Sequence, residues 1–532
     1  MSQEALYLKP NVVAEALVNQ WYAWGLLVPP HTAAMFTANH HAAILRSYIA
    51  APAAHAAAVA NPDMIGGPYV DYGGGRVDEI RELLERTERQ LSHYFDFSRA
   101  LKDLSAMLKR EAKGYSLEPL YEKIPPALRG YVELVYDLQH RASYRLIEPL
   151  LYESEYYDPK LQSLSLSLTT EDFRPFVFST PRLPDDKHLH LQLPFADPAV
   201  DELLATRERP RPLGYLADRL RLDSAQTAML ATMLTPERKP TPPRFAGPGV
   251  RVRYMGHACL LIETSEVSIL VDPCISYDYP NGLARYTYSD LPETIDYVLI
   301  THAHQDHLLF EALLQLRYKI RNVVVPRSAG GSLQDPSLKL MLQKIGFKSV
   351  IELGELEKLE IPHGEIMGLP FLGEHGDLDI RARLAHLVRL HNRTYLCAAD
   401  TCNVDDKLYE RLAKLLGRID VVFLGMEASG APVSYLYGPF FPESIDRKMD
   451  QTRRLRGSNY ERGIRLVDRF KCEEAYVYAL GQEPWLNYFM AVKYTETSIP
   501  IVESNAFVEE CRRRGVTTER LFCMKELHYP AR

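Results

Sequence analysis

The chain contains no stretch of about 18 consecutive apolar residues, so no membrane span is read from it. It contains no C-x-x-C pair. Its seven cysteines begin only at Cys259 and are odd in number, so reduced thiols in a cytoplasmic protein are expected rather than a disulfide framework. It has no basic excess: 62 Lys and Arg against 69 Asp and Glu leave a formal charge of −7, which argues against general nucleic-acid binding. The opening MSQEALYLKP has no basic segment leading into an apolar one, so no secretory signal is expected. DYGGGR (residues 71–76) carries glycines without a preceding strand, which removes a phosphate loop. Against these absences stands an ordinary globular balance, 46% apolar and 25% charged, over 532 residues, more than a single core accommodates.

The clearest boundary is LTPERKPTPPRFAGPG (residues 234–249), where Pro236, Pro240, Pro242, Pro243 and Pro248 exclude both helix and central strand. The chain therefore divides into an N-terminal unit (1–235), a proline-rich linker (236–249) and a C-terminal unit (250–532). Apolar residues every three to four positions predict helices over 77–109, 127–152 and 213–234, and alternation around Leu161 to Leu168 predicts a strand pair. The first unit is thus mixed but mostly helical. After the linker, residues 250–273 read as a hairpin. Buried strands are predicted at 295–304, 322–326, 349–353, 393–400, 421–427 and 475–481, with helices between several of them, which makes this unit a layered α/β domain.

The segment His302-Ala303-His304-Gln305-Asp306-His307 closes the strand IDYVLIT. Three imidazoles and a carboxylate within six residues on a turn are poorly explained by packing. In an extended segment His302 and His304 point to one side, and Asp306 and His307 can turn toward an adjacent position, which suits two metal ions.

H-x-H-x-D-H after a strand, preceded by a hairpin ending in Val271-Asp272-Pro273, resembles the metallo-β-lactamase superfamily over about residues 250–480. The resemblance implies an αββα sandwich and gives Asp400, at the end of YLCAAD, the metal-bridging role. Asp272 is expected to orient a ligand imidazole or to be an ordinary turn residue, and His257 to lie near the metals or in the core. The superfamily supplies a further ligand from PFLGEHGDLDIRARL (370–384), which offers Glu374, His375, Asp377 and Asp379. Alternation would set His375, Asp377 and Asp379 on one side and Glu374 on the other. A hydrolase-like reading selects His375; a carboxylate-rich reading selects Asp377. The superfamily's last histidine is missing: beyond Asp400 only His528 remains, and the expected place offers Gln482 and Glu483. Fewer imidazoles harden the site toward iron or manganese and leave positions open for dioxygen.

With its large N-terminal unit, H-A-H-Q-D-H, GEHG followed by an acid, YLCAADTCN and no final histidine, the whole chain resembles the metallo-β-lactamase-fold diiron β-hydroxylases of antibiotic biosynthesis. That resemblance implies two iron ions joined by an oxo or hydroxo bridge, dioxygen as co-substrate and an external electron donor. It implies β-hydroxylation of an aromatic amino acid, L-p-aminophenylalanine, held as a thioester on a peptidyl carrier domain of a nonribosomal peptide synthetase, as in chloramphenicol formation. The ligand roles carried over fall on His302, His304, Asp306, His307, Asp400 and the acid at Asp377. The family pattern leads to glutamate at that last position, so Asp377 reads as a ligand one methylene short. The competing reading is a dizinc hydrolase of a thioester, lactone or phosphodiester.

Two further segments bear on that chemistry. GMEASGAPVSYLYGPFF (425–441) places Tyr435 and Tyr437 where an aromatic substrate could stack, with Glu427 available to an amine. RKMDQTRRLRGSNYERG (447–463) gathers Arg447, Lys448, Arg453, Arg454, Arg456 and Arg462, a patch that could steer an acidic carrier domain. NHH (39–41) and KHLH (187–190) lack carboxylate partners in sequence and read as structural or surface histidines. The N-terminal unit is expected to cover the active-site mouth, meet the carrier or form a homodimer.

Overall fold

The computed structural model describes residues 4–280 and 282–531. Two seven-stranded sheets build the C-terminal unit. The first runs in the order 350–353, 320–326, 295–299, 268–271, 260–263, 250–254, 525–529, and the second in the order 358–361, 364–370, 384–390, 393–397, 421–425, 474–478, 517–520. Each sheet has four neighbouring parallel strands and an antiparallel remainder. Between them lies an apolar layer that includes Val252, Ile262, Val271, Leu299, Val388, Tyr395 and Phe423, all buried. Helices Asp406–Leu416, Tyr460–Phe470 and Ile499–Arg513 cover the outer face of the second sheet through a separate core. The result is an αββα sandwich. Strands flanked by helices on a parallel sheet need apolar side chains on both faces, which is why VVFLG (421–425) is buried throughout.

The N-terminal unit is helical around a four-stranded antiparallel sheet of 21–22, 12–18, 162–168 and 189–191. Its residues Val13, Leu164 and Phe195 share one core with Val298, Phe310 and Val323 of the first large sheet and its helix. A second core joins Trp24, Phe36 and Phe97 to Val433, Tyr437 and Phe440. The two units are thus packed together, and residues 236–249 form neither helix nor strand. No single helix among the described residues is long and apolar enough to cross a membrane.

Five predicted elements differ, the first being the strand pair around Leu161 to Leu168, which is a single strand, Gln162–Leu168, between 12–18 and 189–191. Residues 127–152 form no long helix but a hairpin, Val132–Tyr136 with Ala142–Leu146, and a single helical turn, Glu148–Leu151. The β-branched and aromatic content of YVELVY favours the strand, and its apolar spacing fits either period. The helix over 77–109 is two, Val77–Gln90 and Ser92–Glu111, and that over 213–234 breaks at Arg221, whose φ is +56°. The hairpin at 250–273 is a three-stranded meander.

Candidate metal centre

The strand Ile295–Leu299 ends at the edge of the inter-sheet core, and the chain turns there through His302 to His307. Thr301 N and Thr301 Oγ1 donate to the two oxygens of buried Asp272, at 2.8 and 2.6 Å. The Thr301 proton is thereby committed, so its oxygen can only accept from His302 Nδ1, 3.0 Å away, leaving the His302 Nε2 lone pair free. Asp272 Oδ2 also lies 2.8 Å from His307 Nδ1, which turns His307 Nε2 toward Asp400 Oδ2 at 3.0 Å. One carboxylate therefore fixes two imidazoles, directly and through Thr301.

Three groups of side chains converge. His302, His304, Glu374 and His375 form one, His257, Asp306 and His307 a second, and Asp400 joins His302 to His307 across the two. Glu374 Oε1 lies 2.5 Å from His304 Nδ1, and His304 Nε2 lies 2.9 Å from the Tyr437 hydroxyl. Asp400 follows Ala399, whose φ is +47°, and a methyl group at Gly425 would lie 2.5 Å from Asp400 Oδ1. Only glycine leaves room for that carboxylate.

The donor atoms fit metal ions. His302 Nε2, His375 Nε2, Asp400 Oδ1 and His257 Nδ1 are buried without a hydrogen-bond partner. Each such atom left unsatisfied costs about 1–3 kcal/mol, so their convergence points to a cation. Burial, reinforced by His307 and His304, pushes His302 well below its usual range and keeps it neutral, the form that ligates. At His307 burial also opposes charge, but Asp400, Asp306 and Asp272 outweigh it and raise the group well above its usual range. Carboxylates that hold a proton there would hold a cation equally.

Asp377 does not join these groups; it is exposed. The carboxylate beside His302 and His304 is Glu374, three residues earlier. The simple alternation expected for this segment fails because Gly373, Glu374, Gly376 and Asp377 all have positive φ (+85°, +66°, +58° and +59°). The coil turns Glu374 and His375 inward together and Asp377 outward. The reading of Asp377 as a shortened ligand is corrected accordingly. His257, at φ +49°, is buried with Nε2 3.3 Å from Asp306 Oδ2. His528 lies on the edge strand against Glu526 (2.7 Å) and supplies nothing to the site. Glu483 accepts from the Tyr254 hydroxyl at 2.5 Å.

Around this centre, burial and then the Asp400 and Glu374 carboxylates push Glu427 up to about 7, against a hydrogen bond from Ser429 Oγ at 2.9 Å. Tyr494, missed in the sequence, has a buried hydroxyl without a partner and is raised by burial and by Glu427, Asp400 and Asp306. Two arginines of the basic segment serve these loops: Arg453 Nε donates to Gly376 O and Arg454 Nε to Ser429 O, each at 2.7 Å. Arg447, Lys448 and Arg456 are exposed. The N-terminal unit reaches the metal loop directly, since a methyl group at Gly25 would lie 3.0 Å from Ala303 O.

Sandwich, loop and paired donor groups define a dinuclear metal protein of the β-lactamase superfamily, and residues 251–379 match that superfamily's domain model. Residues 7–238 match the model of the diiron non-heme β-hydroxylase N-terminal domain. The chain is 40% identical, over 98% of its length and 99% of the relative's, to 4-amino-L-phenylalanyl-[CmlP-peptidyl-carrier-protein] 3-hydroxylase of Streptomyces venezuelae. It belongs to the diiron β-hydroxylase family. The crystal structure of CmlA, a diiron β-hydroxylase from Streptomyces venezuelae, is similar with a TM-score of 0.93 at 38% identity, covering 99% of this chain and 100% of that one. A CmlA variant with glutamate replaced by aspartate is similar with a TM-score of 0.90 at 38% identity, covering 98% and 100%. A UPF0173 metal-dependent hydrolase of Pyrococcus furiosus is 28% identical over 184 residues, 33% of this chain and 71% of that protein.

Proposed function

We propose that this protein β-hydroxylates an aromatic aminoacyl group, 4-amino-L-phenylalanyl or a near relative, carried as a thioester on a peptidyl carrier domain. The observation that carries it is the donor set: three carboxylates, Asp306, Glu374 and Asp400, stand among the imidazoles of His257, His302, His304, His307 and His375, an oxygen-and-nitrogen arrangement without thiolate that suits iron. Full-length identity to the Streptomyces venezuelae carrier-protein hydroxylase supports it, whereas hydrolase likeness covers a third of the chain. Two irons would supply the dioxygen chemistry that inserts an oxygen atom into the benzylic carbon–hydrogen bond.

The chain's own residues hold that centre. His302, His304 and Glu374 would bind one ion and Asp306 and His307 the other, with Asp400 between them and His375 at the edge of the first group. Asp272 and Thr301 fix the tautomers of His302 and His307. Tyr437 orients His304. Glu427, with its carboxyl pushed up to about 7 by burial and by Asp400 and Glu374, can hold or release a proton near neutral pH.

Metal analysis, an optical spectrum and product analysis test this reading together. Two irons per chain, reductant-dependent oxygen uptake and a carrier-bound product heavier by one oxygen are expected. Two zincs with thioester cleavage would replace it by the hydrolase.

His257→Ala should weaken retention of the metal beside Asp306 by about 10–100-fold in chelator competition, because Asp306 loses the ring that fixes it. Retention equal to wild type would make His257 a packing residue. Carrier docking is assigned to exposed Arg447, Lys448 and Arg456; Arg453 and Arg454 are tied to loop carbonyls. Charge reversal at Arg447 and Lys448 should raise KM for the loaded carrier, more so at low salt, with kcat and iron content unchanged. Salt-independent kinetics identical to wild type would move the docking surface elsewhere.

A further inference from the structure

The helix that starts at Pro30 is interrupted. Residues Thr37–His41 form a π turn between the α-helical stretches Pro30–Phe36 and Ala42–Ala50. Such a turn weakens the regular ladder of hydrogen bonds and is found mostly at functional positions. Here it brings His40 and His41 to the wall of a cavity of about 230 Å³. Asn39 anchors the turn, donating to Ser98 Oγ at 3.0 Å and to Pro439 O at 2.9 Å.

Seven aromatic side chains stand in the remaining wall. His41 stacks on Trp21 with centroids 3.9 Å apart and planes 4° apart. Trp24 meets Phe36 and Phe178 edge-on at 5.0 and 5.4 Å. Gln305, between His304 and Asp306 on the metal loop, closes one side, and Tyr435 lies on the wall as well. Among the described residues no Asp, Glu, Lys or Arg side chain lines the space. Burial pushes His40 down to about 4 and His41 well below its usual range, with His40 adding to the effect on His41, so both rings are neutral.

A dry cavity of about 150 Å³ holds benzene, so this one has room for a ring with a substituent. Its walls suit a flat, uncharged ring, and its neutral imidazoles can exchange a hydrogen bond with a polar group on that ring. We propose that this cavity receives the aromatic ring of the carrier-bound aminoacyl group, and that His40 hydrogen-bonds the substituent at the far end of the ring. The proposal rests on the hydroxylase reading and extends it to specificity. The β-carbon is bonded directly to the ring, so a ring seated against Gln305 leaves that carbon beside the metal loop. An aniline nitrogen is neutral at physiological pH and suits the uncharged walls; a carboxylate or guanidinium there would be buried without a counter-charge.

The test compares carriers loaded with 4-aminophenylalanyl and with phenylalanyl groups, alongside calorimetric binding of 4-amino-L-phenylalanine amide to the as-isolated protein. Wild type should prefer the amino-substituted group in kcat/KM. His40→Phe should lose about tenfold of that preference, mostly in KM, and His40→Gln, which keeps a hydrogen-bonding group, should retain it. Leu27 also lines the cavity, and Leu27→Trp should fill it and abolish the heat of amide binding while iron content and far-ultraviolet circular dichroism match wild type. Unchanged selectivity in His40→Phe overturns the role of His40, and amide binding that survives Leu27→Trp, or is absent from wild type, overturns the pocket. A two-iron protein that hydroxylates neither carrier would sink the hydroxylase reading, and calorimetry would still decide the cavity.

Discussion

Glu374→Ala is expected to purify with less than its full iron complement and without measurable hydroxylation, whereas Asp377→Ala should match wild type in both. Glu374 is buried with one oxygen 2.5 Å from His304 Nδ1 and the other 2.8 Å from His375 Nδ1. Burial would push its carboxyl up, but His304 and His375 outweigh that and hold it well below the usual carboxylate range. Alanine leaves three buried imidazoles without the anion that balances a divalent ion beside them. Glu374→Asp is the more discriminating change. It keeps the charge but withdraws it by one methylene, so metal should load while the optical spectrum and turnover shift. Asp377 is exposed on a left-handed turn, and its truncation removes only solvated charge. Iron analysis of the three variants beside circular dichroism decides the matter. Full iron in Glu374→Ala, or iron loss in Asp377→Ala, would restore the downstream acid as ligand.

That pair also marks where the sequence could be read and where it could not. His302, His304, Asp306 and His307 sit at the end of a regular strand, where spacing converts directly into direction, and Asp400 closes another strand. Glu374 lies in a coil with four left-handed residues in five, and only Gly373 and Gly376 hint that alternation stops there. His40 and His41 were set aside because their partners lie far away in sequence: the pocket that gives them meaning also needs Phe178, Gln305 and Tyr435. No local pattern carries such a cavity. The hairpin at 132–146 was lost for a different reason, since five-residue strands of mixed burial satisfy either periodicity.

Arg174→Met is expected to cost about 3–5 kcal/mol of stability, among the largest effects of any single change outside the metal centre. Arg174 forks between Glu15 Oε1 at 2.5 Å and Glu311 Oε2 at 2.8 Å, and its guanidinium lies 3.6 Å from the Tyr488 ring centroid. Glu15 belongs to the N-terminal strand Val12–Val18, and Glu311 to the helix Phe310–Leu316 that leaves the metal loop. The bridge therefore ties the N-terminal sheet to the segment that carries the metal ligands. Without it, Glu15 keeps Arg182 at 2.6 Å, but Glu311 keeps only the Tyr22 and Tyr277 hydroxyls, at 2.9 and 2.6 Å. A buried carboxylate then lacks a cation. Lysine cannot replace the planar fork, so Arg174→Lys should recover only part of the loss. The pH dependence follows from Glu15. Burial would raise its carboxyl, but Arg182 and Arg174 hold it well below the usual range. A depressed folded-state value gives stability that is fully present above the unfolded value, about 4.3, and is lost as pH falls below it. The gap in thermal midpoint between wild type and Glu15→Gln should hold constant from about pH 6 to 8 and narrow below about pH 4. A gap that widens on acidification would mean that the carboxylate is not stabilised in the folded protein, and the Glu15–Arg174–Glu311 bridge would then not be what joins the two units.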